Sequence, residues 1–172
     1  MKTKRLVSLA MMAALSVGLH YAESLIPAFL PIPGFRLGLA NSITLFVLYF
    51  YDGPSYLFVT LVKVLLVALI TSGFGPVFLM SLTGSLLSAA VSLLFYYLVR
   101  PSIYAVSTLG ALFHTIGQLL AYAFFFNTFY IFSYFTILGP LSIVTGLVMS
   151  ILVSILIHRL PASLRFEERV RR

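Results

Sequence analysis

The chain has 172 residues, of which 61% are hydrophobic and only 9% are charged, and its mean hydropathy is +1.10. Soluble domains carry about 25% charged residues. A chain this apolar cannot cover its own surface with polar groups, so its solvent must be lipid. This excludes a soluble enzyme, a nucleic-acid-binding domain and a disordered chain. The sequence contains no cysteine, which excludes disulfides, thiolate metal sites and thiol nucleophiles.

The N-terminus has two interpretations. Lys2, Lys4 and Arg5 precede the apolar stretch 6–19, which is also the pattern of a signal peptide. No clean small-x-small cleavage site follows, and the whole chain behind it is hydrophobic. We therefore expect a retained membrane helix.

Turn residues divide the chain into six apolar segments. A membrane-spanning helix needs about 20 apolar residues to cross about 30 Å of hydrocarbon, and clusters of Pro, Gly, Asp and Asn mark the breaks. The predicted helices cover residues 5–26, 37–51, 55–71, 77–99, 102–126 and 129–160. The second is short for a span, and Gly139-Pro140 is a candidate interruption of the sixth. The predicted fold is thus all-α: a single six-helix transmembrane domain over residues 1–160, with a basic tail over 161–172.

The first loop, residues 27–36, contains three prolines and a glycine. These residues forbid a helix, yet the stretch is too apolar for a solvated loop. We expect it to lie on the protein or dip into it.

Basic residues predict the orientation in the cell membrane. Six spans put both termini on one side, and that side then holds nine of the eleven basic residues. These nine are Lys2, Lys4, Arg5, Arg100, Arg159, Arg165, Arg169, Arg171 and Arg172. Because positive charge accumulates on cytoplasmic segments, both termini are predicted to be cytoplasmic.

The strongly polar residues cluster at one depth. Polar groups within a membrane are costly, usually face the interior of the bundle, and mark ligand or ion paths. Most fall in the outer halves of their helices, while the inner halves contain only Ser, Thr and Tyr until His158. This pattern predicts a polar chamber that opens outward above a dry floor and binds a ligand from outside. The candidate ligand-binding residues are His20, Glu23, Arg36, Asn41, Lys63, His114, Gln118 and Asn127.

Several of these residues also have structural interpretations. Glu23 and Lys63 are candidates for a buried ion pair that fixes helix packing, and Arg36 is a candidate anchor for lipid headgroups. His20 and Glu23 share a helix face, but two ligands without a third do not make a metal site. We therefore expect no metal and no cofactor.

The remaining polar candidates are open to similar alternatives. His114 and Gln118, at i and i+4, share a face of the fifth helix and are suited to hydrogen bonds between helices. Asn41 and Asn127 lie near predicted helix ends, where asparagine often caps.

Small residues on the first helix form a separate pattern. Ala10 and Ala14 are four residues apart, a spacing that lets two helices approach closely. The alternatives are packing inside the bundle and contact with a partner protein.

Three segments together resemble a known family. They are residues 36–41 with Thr44, Leu45 and Tyr49; residues 78–84; and residues 110–119. The likeness extends over nearly the whole chain and is to the Gx transporter family, also labelled heptaprenyl diphosphate synthase component I. Thr115 departs from the pattern, which has Asn after the histidine.

That family in turn resembles the substrate-binding S components of energy-coupling factor transporters. The resemblance implies a six-helix protein that takes up a small micronutrient, or a quinone- or isoprenoid-type precursor, from outside the cell. It also implies a coupling transmembrane subunit and cytoplasmic ATPases as partners. Ala10 and Ala14 match the Ala-xxx-Ala motif that contacts the coupling subunit, and the loop 27–36 would close over the ligand.

The synthase label has a chemical test. Prenyl diphosphate synthesis needs Mg²⁺ held by clustered carboxylates, whereas the four acidic residues here are Glu23, Asp52, Glu167 and Glu168. None forms an Asp-rich motif, and there is no Walker sequence for ATP hydrolysis. We therefore expect no enzymatic activity. The alternative function is a non-catalytic membrane scaffold, or a partner subunit of a prenyl diphosphate synthase or redox system.

Overall fold

The computed structural model describes residues 2–25 and 38–159 of the chain. Its helices are α1 (Lys2–Leu25), α2 (Leu39–Phe50), α3 (Gly53–Val67), α4 (Pro76–Leu98), α5 (Ile103–Phe125) and α6 (Phe135–Arg159). A π-helical turn, Ala68–Ser72, extends α3, and a 3₁₀ segment, Phe129–Tyr134, precedes α6. The predicted all-α fold is confirmed, and most helix bounds differ from the prediction by only a few residues. The predicted loop 27–36 and the tail 161–172 lie outside the described residues.

The six helices form a closed ring. In order around the ring α1 packs on α2, α2 on α6, α6 on α5, α5 on α4, α4 on α3, and α3 returns to α1. The shortest helix, α2, also packs on α3, and residues 43–48 of α2 are all buried. This arrangement leaves a space between the helices that every element can line.

The two ends of the ring are distinguished by their contacts. On the side that we call the tail side, Arg5 near the start of α1 forms an ion pair with Asp52, between α2 and α3. Tyr97 near the end of α4 packs beside Gly53 there. On the opposite side, called the cavity side, Glu23 near the end of α1 contacts the start of α2.

Five of the helical segments are long and apolar enough to cross a membrane: residues 3–23, 53–71, 76–98, 103–125 and 129–159. At 1.5 Å per residue, the 12 residues of α2 cover only about 18 Å. Large apolar side chains such as Phe124 and Leu69 are exposed on the outer faces of the ring, where hydrocarbon covers them. The chain is therefore a multi-pass membrane protein.

Glycines set the contact between α4 and α5. A Cβ atom on Gly117 would lie 2.8 Å from the Cα of Gly84 and 2.8 Å from the carbonyl oxygen of Thr83. The Thr83 hydroxyl donates to the Gly117 carbonyl across the same contact, at 3.1 Å. The two backbones can approach this closely only because neither glycine has a side chain.

The sixth helix differs from one predicted detail. Gly139-Pro140 was a candidate interruption, but α6 runs through Pro140 without a break. The irregular part is the 3₁₀ segment before it. Pro140 has no N–H to donate to the Thr136 carbonyl four residues back, and prolines of this kind are tolerated within membrane helices where neighbouring groups satisfy the freed backbone.

Candidate functional site

A cavity of about 480 Å³ lies inside the ring of helices. Side chains from all six helices and from the 3₁₀ segment line it, and it extends to the cavity side, where Gly38, Pro76 and Phe126 are part of its wall. Its volume falls within the range of small-molecule sites. The lining includes six of the eight predicted residues: His20, Glu23, Asn41, Lys63, His114 and Gln118.

Lys63 is buried and hydrogen-bonded within this cavity. Its ammonium donates to the Asn41 side-chain oxygen at 2.7 Å, and only 5% of the residue is exposed. A direct ion pair with Glu23 is the structural alternative, and it is wrong, because the Lys63 ammonium bonds to Asn41 and the Glu23 carboxylate bonds to backbone N–H groups. Glu23 acts on Lys63 only as a nearby charge. The ammonium therefore has a neutral amide as its hydrogen-bond acceptor.

The carboxylate of Glu23 is hydrogen-bonded to the start of α2. Its Oε1 accepts hydrogen bonds from the backbone N–H groups of Gly38, at 2.7 Å, and Leu39, at 3.1 Å. Gly38 has a left-handed φ of 84° and no side chain of its own to cap the helix. A carboxylate is favoured beside the positive end of a helix dipole, so Glu23 satisfies backbone donors that α2 cannot satisfy itself. The sequence did not reveal this cap, because it comes from another helix.

His114 and Gln118 face α4 and the cavity together. The His114 ring contacts the backbone of Gly84, and both Lys63 and His20 lie within electrostatic reach of it. A Cβ on Gly84 would lie 2.8 Å from the Gln118 Cγ and 3.1 Å from the His114 Cε1. The close α4–α5 contact thus fixes the positions of both polar side chains.

The tail-side end of the cavity combines an apolar core with hydroxyl groups. Leu48, Tyr56 and Val106 line this end and also belong to the main hydrophobic core. The Tyr56 hydroxyl lies near the hydroxyls of Ser88 and Ser92. The predicted floor is therefore apolar except for the hydroxyl groups of residues that the sequence marked only as Ser and Tyr.

Thr60 is a cavity residue that the sequence did not single out. It lies on α3, three residues before Lys63, and only 4% of it is exposed. Within the described part of the chain its Oγ1 is the one buried side-chain polar atom without a hydrogen-bond partner. Nothing in the sequence distinguishes this threonine from the others.

Two predicted residues are not brought to the cavity by the described structure. Asn127 is exposed at the end of α5 with a φ of 49°, and the N–H of Thr128 donates to the Ala123 carbonyl at 3.1 Å. This is the Schellman arrangement that ends many helices, so Asn127 is a cap, as the structural alternative held. Arg36 lies outside the described residues.

The small residues of α1 point away from the bundle. Ala10 and Ala14 are both exposed, and so is Gly18, one further turn along the same face. A Cβ on Gly18 would have no atom within 4 Å. Packing inside the bundle, the first alternative, is therefore wrong for Ala10 and Ala14.

A polar cluster lies at the tail side, outside the spans. Asp52 caps α3 by accepting from the Ser55 N–H at 2.9 Å, and it also pairs with Arg5, whose guanidinium donates to the Ser55 hydroxyl at 2.7 Å. Burial raises the pKa of Asp52, but the hydrogen bonds from Ser55 and Arg5 and the charge of Arg5 outweigh it, so the pKa lies below the ordinary 3.8.

These features define the class of protein: a polytopic helical membrane protein with a ligand-sized internal cavity that contains charged and polar groups. Within residues 2–25 and 38–159 there is no group of three His, Cys, Asp or Glu suited to a metal ion.

Comparison with protein families then identifies the family to which the chain belongs. The chain belongs to the family described as heptaprenyl diphosphate synthase component I, which it matches over residues 12–156. No curated protein and no solved structure matches it.

Proposed function

We propose that the protein is a membrane-embedded substrate-binding subunit that captures a small micronutrient, or a quinone- or isoprenoid-type precursor, for uptake. The observation that carries this proposal is the cavity, in which Lys63, His114 and Gln118 converge within a ring of apolar helices. Buried polar groups that surround a volume of this size are suited to a small ligand. Binding, without catalysis, is the role that we assign to the cavity.

The proposed direction of capture follows from charge. Arg5 lies on the tail side, and Arg100 follows the end of α4, whose Tyr97 packs beside Gly53 on that side. Basic residues favour the cytoplasmic side. With the tail side in the cytoplasm, the cavity side faces out of the cell. Both termini are then cytoplasmic and the ligand enters from outside.

Energy for release must come from a partner in this proposal. We assign partner contact to the exposed face of α1 that contains Ala10 and Ala14, because small side chains allow a second helix to approach its backbone. A shallow apolar groove beside it is lined by Val17, Tyr21 and Leu66, among others. The proposed partners are a coupling transmembrane subunit and cytoplasmic ATPases.

Assembly can be tested with matched substitutions. Ala14→Leu and Ala10→Leu should abolish co-purification with a transmembrane partner and its ATPases from native membranes, because leucine blocks close helix approach. Ala90→Leu, at an exposed position of α4, is the control and should assemble normally. Normal assembly by both α1 variants would contradict the proposed contact.

Ligand binding has its own test. His114→Ala and Gln118→Ala should each remove a molecule that native mass spectrometry detects on the detergent-purified wild type, with little loss of thermal stability. Retention of that molecule by the double variant would show that the cavity residues are packing groups.

The family description supports a second candidate function, that of a non-catalytic membrane partner of a prenyl diphosphate synthase. The two described acidic residues, Glu23 and Asp52, lie on opposite sides of the ring and are engaged by α2 and by Arg5. Neither is available for a carboxylate pair that holds Mg²⁺. Co-purification with a synthase alone, and not with ATPases, would favour this candidate over uptake.

A further inference from the structure

The starting observation is the unpaired hydroxyl of Thr60. A threonine in a membrane helix ordinarily donates to a carbonyl three or four residues back in its own helix. Six others in this protein do so, at 2.8 to 3.2 Å: Thr44, Thr71, Thr83, Thr108, Thr115 and Thr145. Thr60 does not, although it is 96% buried by area and lines the cavity. The hydroxyl oxygen itself has almost no accessible surface, whereas the residue lines the cavity, so a change of its χ1 rotamer is what brings the hydroxyl to a ligand. A buried polar group without a partner is costly, which favours that change.

Lys63 supplies charge beside that hydroxyl. Positions three apart lie on one face of a helix, and both residues line the cavity. The Lys63 ammonium has three N–H groups, one of which donates to Asn41. Glu23, the nearest described carboxylate, already accepts two backbone hydrogen bonds from the start of α2. The positive charge at this point of the cavity therefore lacks an anion in direct contact.

The lining restricts the type of anion. Phosphate carries about two negative charges and is usually bound by arginine forks or several backbone N–H groups. Among the described lining residues Lys63 is the one cationic Lys or Arg side chain. A singly charged carboxylate matches one ammonium and one hydroxyl. Apolar side chains line other parts of the same cavity, including Leu45, Leu48, Val64 and Leu138.

We infer that Thr60 and Lys63 form the head-group subsite of the cavity, and that its ligand is a monocarboxylate with a largely apolar body. One carboxylate oxygen accepts from the Thr60 hydroxyl and the Lys63 ammonium donates to the carboxylate, while the body packs against the apolar wall. This inference rests on the proposed binding function and specifies the ligand class of that same cavity.

The test uses three probes with one body and different head groups: 4-phenylbutanoate, 4-phenylbutanamide and 4-phenylbutylamine. Binding to the detergent-purified full chain is measured by isothermal titration calorimetry. The carboxylate should bind at least tenfold tighter than the amide or the amine. Thr60→Val should weaken carboxylate binding about tenfold, which corresponds to the loss of one hydrogen bond to a charged group. Thr60→Ser, which keeps the hydroxyl, should retain most of the affinity.

Thermal unfolding of the ligand-free variants separates this role from a structural one. Thr60→Val replaces an unpaired hydroxyl with a methyl group of the same shape, so it should unfold at the wild-type temperature or above. If Thr60 served only packing or backbone bonding, Thr60→Val would lower the melting temperature. Unchanged thermal stability together with weaker carboxylate binding therefore indicates a binding role.

Three results would overturn the inference: equal binding of the amide or amine, full carboxylate affinity in Thr60→Val, or binding of none of the probes. Equal binding of the neutral amide would remove the carboxylate assignment and leave the cavity as a binding site. Failure of the uptake function is detected separately, by the absence of ATPases from the purified assembly.

Discussion

Replacing Asn41 with leucine should destabilise the bundle, because it removes the acceptor of a buried ammonium. The Lys63–Asn41 distance of 2.7 Å is that of a charge-assisted hydrogen bond. Leucine has a similar volume but accepts no hydrogen bond. Lys63 would then remain buried without an acceptor among the described residues.

The size of the effect follows from that loss. A hydrogen bond to a buried charged group is worth about 2–3 kcal/mol of unfolding free energy. For a chain of this length each kcal/mol shifts the melting temperature by about 2–4 °C. The expected decrease for Asn41→Leu is therefore about 4–12 °C, measured by circular dichroism on the detergent-purified protein.

A double-mutant cycle assigns this loss to Lys63. Lys63→Met removes the charge and keeps an unbranched apolar side chain, so the pair Asn41→Leu with Lys63→Met should recover most of the lost stability. The reasoning is wrong if Asn41→Leu melts within about 1 °C of the wild type. It is also wrong if the double variant is no more stable than Asn41→Leu alone.

Two further predictions concern packing and the tail side. Gly117→Ala should lower the unfolding free energy by about 1–3 kcal/mol, because the added Cβ would collide with the backbone of Gly84. Gly18→Ala is the control and should be neutral, because position 18 faces open space. Equal melting temperatures of the two variants would contradict the close contact between α4 and α5. Because the pKa of Asp52 is lowered on folding, its stabilisation is present above about pH 3.9 and is lost as the pH falls through the folded value. The melting temperature of the wild type should therefore fall more between pH 5 and pH 3 than that of Asp52→Asn, and parallel pH profiles would exclude the pairing with Arg5.

The depth of the polar residues along their helices was enough to predict that most of them line one cavity. His20, Lys63, His114 and Gln118 come from three helices, and their convergence in one cavity follows from the cost of placing polar groups against lipid. Each such group must turn inward, and groups at the same depth then meet. Hydropathy and spacing contain that information without any knowledge of which helices are neighbours.

The pairing of these groups was not predictable in the same way. Opposite charge suggested Glu23 with Lys63, but the start of α2 approaches the end of α1 and its backbone N–H groups take the carboxylate. Lys63 then pairs with Asn41, which helix-end statistics had marked as a cap. The choice depends on which helix ends meet in three dimensions. The unpaired state of the Thr60 hydroxyl depends on its local rotamer and is equally invisible in the sequence.

Stability and affinity together distinguish the roles of the two residues beside Lys63. Asn41 accepts from the ammonium in the ligand-free protein, so Asn41→Leu should lower both the melting temperature and the affinity for 4-phenylbutanoate, because a displaced ammonium no longer faces the carboxylate. The Thr60 hydroxyl has no described partner to lose, so Thr60→Val should lower affinity while the melting temperature stays level or rises. Opposite movements of this kind are expected where a binding group is kept unsatisfied at some cost to folding. If both variants lower the melting temperature in parallel, Thr60 is part of the packing and the cavity has a different head-group site.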